Sequence, residues 1–170
     1  AVVACPPHPN YGGTLHDRRL RAVADALSPR IDCLRIDYGP WDEGRGERDD
    51  ARRACEWAAA RYAAVGLFGY SFGGGVAPLA AVDADVAAVA ALAPVTRLDD
   101  GSDVAEAVST LAVPHWIGYG RRDETVDAAA VAERASETHG TVDRFPTGHG
   151  VVGHEARSAT RVARFFDGVL

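Results

Sequence analysis

The stretch Gly69-Tyr70-Ser71-Phe72-Gly73 constrains this chain more than any other. Residues 63–68 before it form a short apolar run, the pattern of a buried strand. After it come Gly74 and Gly75, then Val76-Ala77-Pro78-Leu79-Ala80-Ala81, which can be helical. A serine therefore stands on a sharp turn from strand to helix, with glycine two positions before and two after. Such a turn needs unusual backbone angles and brings the two backbones close together, so a Cβ at either glycine would clash. The turn lifts the Ser71 hydroxyl out of the sheet. It also leaves the Phe72 N–H, at the helix start, free to face an anion.

The rest of the chain alternates in the same way. Residues 1–5 are a short apolar strand that runs into a loop dense in proline and glycine, Pro6 to Gly13. Thr14 is expected to cap a helix, with Asp17 in a capping-box-like position, and Ser28-Pro29 ends it. Residues 31–38 read as the second strand and 39–46 as a polar loop carrying Trp41. A second helix is expected over 47–62. Beyond the serine motif, strands are predicted over 86–93, 113–119 and 141–145. Helices are predicted over 104–111, from an Asp127 cap to about 138, and over 155–167. Six strands alternating with helices give a parallel sheet covered on both faces, a three-layer α/β/α sandwich. At 170 residues the chain is expected to be one domain.

Composition excludes some functions. Hydrophobic residues are 47% and charged residues 25%, the balance of an ordinary globular domain. A net charge of -6 argues against a nucleic-acid partner. Cys5, Cys33 and Cys55 lack zinc or C-x-x-C spacing and read as small core residues, and no His/Cys/Asp pattern supports a metal site. No signal-peptide pattern and no apolar run long enough to span a bilayer is present, so a cytoplasmic setting without membrane contact is expected.

In an open parallel sheet, functional groups gather beyond the carboxyl ends of the strands. Ser71, Asp123 and His149 lie there, one to four residues past three different strands. A serine alcohol is a poor nucleophile unless a base is within hydrogen-bond reach, and the base needs a carboxylate to orient it. The order Ser…Asp…His and the G-x-S-x-G turn fit that requirement. Asp127 and Glu124 are alternatives for the acid, and His154 for the base.

On these residues, and on His8-Pro9-Asn10-Tyr11-Gly12-Gly13, Gly120-Arg121-Arg122-Asp123 and Gly148-His149-Gly150, the chain resembles a small α/β-hydrolase. It is most similar to the dienelactone-hydrolase-like and short-chain esterase branches. The resemblance covers essentially the whole chain. It implies Ser71 as nucleophile, Asp123 as acid, His149 as base and the Phe72 N–H as half of an oxyanion hole. The other half should come from the loop after the first strand, where such proteins usually carry His-Gly. Here the pair is His8-Pro9, and proline has no N–H. Asn10 is therefore expected to supply it, with Tyr11 second. Tyr11, Trp41 and Tyr70 are expected to line the mouth. The resemblance implies no cofactor and a small ester, thioester or lactone substrate.

The chain also departs from the resemblance. It has no residues for the two strands that usually precede the oxyanion loop, so the expected order across the sheet is 2-1-3-4-5-6. It has no room for a large lid. Two other readings compete. A dinucleotide site would use the same glycine-rich turn. Its middle glycine is serine here, and the next strand ends Leu92-Ala93-Pro94 with no carboxylate for a ribose. A binding protein that kept the fold and lost activity is favoured only by the Pro9 departure.

Overall fold

A computed structural model describes all 170 residues. Six strands, β1 (Val2–Cys5), β2 (Cys33–Arg35), β3 (Gly66–Tyr70), β4 (Ala88–Leu92), β5 (His115–Gly120) and β6 (Thr141–Phe145), alternate with six helices. The helices are α1 (Arg18–Leu27), α2 (Arg45–Ala59), α3 (Phe72–Ala81), α4 (Val104–Thr110), α5 (Ala128–Glu137) and α6 (Glu155–Asp167). All pairings are parallel, and the sheet order is β2-β1-β3-β4-β5-β6, as expected.

Strand alternation divides the core into two layers. Val2 and Ala4 of β1, Phe68 and Tyr70 of β3 and Trp116 of β5 pack with the apolar faces of α1 and α6. Val3, Cys5 and Leu67 point the other way, onto α2 and α3. Ala91 and Ile117 continue that second face under α4 and α5. β1, β3 and β4 are wholly buried, which is why they read as continuous apolar runs. Cys5 and Cys55 are buried and Cys33 is half-buried. Burial pushes the Cys33 and Cys55 thiols up to about 12, so both are uncharged packing groups.

One consequence of the topology places the site. The chain leaves β1 for α1 on one face, but leaves β3 for α3 on the other. The loops after these adjacent strands diverge, and a crevice opens between their carboxyl ends.

Several boundaries differ from the sequence reading by a few residues, and three of them have a local cause. The first helix starts at Arg18, not after Thr14, because the Asp17 carboxylate accepts the Arg19 N–H at 2.8 Å and is the true cap. The second strand is only Cys33–Arg35. Its ladder stops after the Ile36 N–H reaches the Ala4 carbonyl, since Pro6 and Pro7 beyond β1 have no N–H to continue it. The third strand runs two residues further, into the glycine motif, because Gly69 pairs with Cys5 and Tyr70 with Leu92.

The exposed edge strand β6 is held from both sides by Asp143. It accepts the Trp116 indole N–H at 2.8 Å and two hydrogen bonds from the Arg161 guanidinium at 2.9 and 2.7 Å. Burial alone would raise this carboxyl, but the bonds from Arg161 and Trp116 outweigh it and hold it below its ordinary value of 3.8. A carboxyl depressed in the folded state stabilises fully above its unfolded value and loses that contribution as pH falls through the folded one. Thermal stability should therefore drop below about pH 4, and Asp143→Asn should flatten that acid limb. Melting temperatures of both proteins between pH 3 and 7 test this; parallel curves would contradict it.

Candidate active site

The elbow is built as the glycines require. Ser71 has φ 57 and ψ −117, a backbone conformation costly for a residue with a side chain. It is held there by its own peptide groups. The Ser71 N–H donates to the Leu92 carbonyl at 2.9 Å, and its carbonyl accepts from Gly75 at 3.1 Å and Val95 at 3.3 Å. A Cβ on Gly69 would lie 1.8 Å from the Gly73 carbonyl oxygen. A Cβ on Gly73 would lie 2.3 Å from the Cys5 oxygen and 2.4 Å from the Pro6 oxygen. The second glycine thus lets the loop after β1 pass against the start of α3.

Ser71, His149 and Asp123 come together. Ser71 Oγ is 2.9 Å from His149 Nε2, and His149 Nδ1 is 2.8 Å from Asp123 Oδ2. The carboxylate is fixed in turn, because Oδ1 accepts the N–H groups of Thr125 at 2.9 Å and Val126 at 3.1 Å. Its side chain is 3% exposed and the imidazole 18%. Nδ1 faces a carboxylate and so carries the ring proton, which leaves Nε2 to accept from the serine.

The loops that carry acid and base are bound to each other. Arg121 N–H donates to the Phe145 carbonyl and Arg122 N–H to that of Thr147. A Cβ on Gly120 would lie 2.4 Å from the Thr147 oxygen, so that glycine lets the His149 loop close over the end of β5. Val151, a buried β-branched residue, has φ 45 two positions after His149, and its N–H returns to the Gly148 carbonyl at 3.1 Å. Nothing in the sequence marks Val151 for this turn.

The alternatives for acid and base lie elsewhere. Asp127 caps α5 through the Ala130 N–H, Glu124 is exposed, and His154 is the N-cap residue of α6. His115 is buried, and its ring bonds Val113 O and Thr138 Oγ1. No group of three or more His, Cys, Asp or Glu side chains is placed to hold a metal ion.

The loop after β1 corrects one expectation. Residues Pro9–Tyr11 form a single 3₁₀ turn. The Asn10 N–H, expected to face an oxyanion, donates to His8 Nδ1 at 3.2 Å. The Tyr11 and Gly13 N–H groups both go to the His8 carbonyl, and the Gly12 N–H goes to Pro9 O. Pro6, Pro7 and Pro9 have none. The His8 N–H is left as the free donor of the loop.

The three aromatic residues expected at the mouth divide. Tyr11 is 88% exposed, with its ring 4.7 Å from that of His8. Trp41 is half-buried and packs on His8 and Phe72. Tyr70 does not line the mouth. It is 2% exposed, lies under the Arg19 guanidinium, and its hydroxyl donates to the His149 carbonyl at 3.2 Å. Burial pushes that hydroxyl upward, outweighing the nearby Arg19 cation, so it stays a donor. The residue before the serine thus ties the elbow to the loop carrying the imidazole.

The same fold recurs in solved structures. The chain has the α/β-hydrolase fold. A serine hydrolase homologue from Coxiella burnetii superposes with a TM-score of 0.82 at 23% identity, over 96% of this chain and 83% of that one. A serine hydrolase without a lid from Xanthomonas campestris gives 0.81 at 24% identity, over 98% and 80%. Est1E from Butyrivibrio proteoclasticus with ferulic acid bound gives 0.82 at 17% identity, over 99% and 88%. No protein-family model and no curated protein sequence matches the chain.

Gly73→Ala should lower the melting temperature by several degrees, because the methyl meets backbone oxygens that cannot turn aside. Gly39→Ala is the control, since its methyl meets only the Asp50 carboxylate at 3.4 Å. Equal melting temperatures for the two variants would refute the packing account.

Proposed function

We propose that this protein is a serine hydrolase that cleaves small carboxylic esters and related acyl bonds, thioesters and lactones among them, through an acyl-enzyme. The carrying observation is the unbroken hydrogen-bond relay from Ser71 through His149 to Asp123, with the serine on a strained elbow at the crevice. The names of the structural neighbours, serine hydrolases and esterases, support the same reading.

In this reading Ser71 Oγ attacks the acyl carbon as His149 Nε2 takes its proton. The imidazolium that forms is stabilised by Asp123, which stays ionised. The leaving alcohol takes the proton back from Nε2. A water then attacks the acyl-enzyme by the same route and frees the acid. The negative oxygen of each tetrahedral intermediate sits between the Phe72 N–H, at the first position of α3, and the His8 N–H. Losing one such donor costs roughly 10²–10³ in rate. Asn10 is replaced in this role because its N–H is already used within the loop.

The substrate side is open. Clefts of about 490 and 320 Å³ include neither Ser71 nor His149, though Asp123 lines the smaller. Between β4 and β5 there is one seven-residue helix, α4, packed on α3 and α5. The site therefore has little to grip a long chain and suits small or flexible acyl groups. Tyr11 and Trp41 stand beside it on the His8 side.

A panel of p-nitrophenyl esters of rising acyl length, with aryl esters, lactones and acyl-CoA, tests the class. Short esters should be turned over best. Ser71→Ala should lower kcat/KM by at least about a thousandfold and end labelling by a fluorophosphonate, with the melting temperature unchanged. Full activity in that variant would sink the assignment. Absence of both turnover and labelling in the wild-type protein would favour a binding protein on the same fold.

A further inference from the structure

The loop after β1 has few backbone bonds with which to hold its shape, since three of its first four residues are proline. The His8 imidazole supplies what the backbone lacks. Its Nδ1 accepts the Asn10 N–H at 3.2 Å and caps the 3₁₀ turn. With Nδ1 as acceptor, Nε2 carries the ring proton. That nitrogen faces the Asp99 carboxylate, 3.5 Å away on the loop between β4 and α4. The ring lies 4.4 Å from Trp41, 4.7 Å from Tyr11 and 4.8 Å from Phe72. One half-buried side chain therefore touches its own loop, the loop after β2, the loop before α4 and the first residue of α3.

We infer that the His8 side chain is a positioning residue. It holds the β1 loop so that the His8 N–H stays aligned with the Phe72 N–H across the site of the developing oxyanion. This rests on the hydrolase reading above. The two N–H groups belong to different segments, one in a proline-rich loop and one at a helix start. Main-chain approach at Gly73 brings the two segments together, and side-chain contacts between them refine their spacing, the tilted packing of His8 on Phe72 being the most direct. A donor misplaced by a fraction of an ångström weakens oxyanion binding while leaving ground-state binding intact.

The test measures kcat and KM for p-nitrophenyl acetate, and the inhibition constant of phenylboronic acid, whose serine adduct places an anionic oxygen in the same position. His8→Ala should lower kcat at least about tenfold, leave KM within about twofold, and weaken the boronate in proportion to kcat. His8→Asn should recover most of both losses, because an asparagine at an N-cap can accept the Asn10 N–H. The Asn10 amide resonance should move in His8→Ala and return in His8→Asn, a readout that needs no turnover. Unchanged kcat and boronate affinity in His8→Ala would overturn the inference. So would a His8→Asn variant that folds yet is no better than His8→Ala, or an Asn10 resonance indifferent to both. A wild-type protein that neither turns over ester nor binds boronate would instead defeat the hydrolase reading, and the Asn10 resonance would still decide whether His8 holds the loop.

Discussion

At the carboxyl end of the sheet, main chain passes main chain with no side chain between. Gly69 lies against the Gly73–Gly74 peptide, Gly73 against the oxygens of Cys5 and Pro6, and Gly120 against those of Thr147 and Gly148. Each contact is one that a single methyl group would forbid. Together they draw the loops after β1, β3, β5 and β6 into one small region. The positive φ at Ser71 and Val151 exists only because these approaches and their hydrogen bonds over-determine the backbone.

Most of this was legible in the sequence, for physical reasons that differ by element. Strands covered on both faces must be apolar throughout, so β1, β3 and β4 announced themselves. The strand order followed from the alternation of strands and helices and from the fold that the motifs resemble. Glycines at 69 and 73 carried a steric message that the structure repeats. The meeting of Ser71, Asp123 and His149 followed from their places just past strand ends, where the sheet itself fixes position.

What the sequence hid were choices between near-equal hydrogen-bond partners. Thr14 and Asp17 are both good caps, and only the Arg19 N–H decides between them. Asn10 offers a backbone donor on paper, but a histidine two residues earlier can take it, and local side-chain acceptors leave no periodicity to read. Tyr70 is polar and adjacent to the serine, which suggests the surface. Strand alternation turns it inward, and its hydroxyl finds the His149 carbonyl. β2 was read too long because its length is set by prolines in another strand's loop, not by its own residues.

The exposure of Tyr11 has a consequence for how such a protein can change. The parts that would do chemistry are bound by main-chain contacts and by buried groups such as Asp123 and Tyr70. Tyr11, by contrast, projects into solvent with its ring against that of His8. Its replacement disturbs no strand, no glycine contact and no member of the relay. Under the proposed function, changes at that corner would alter what meets the crevice and leave the Ser71–His149–Asp123 relay in place. The side chain open to change and the relay that must stay fixed thus lie on different parts of the fold.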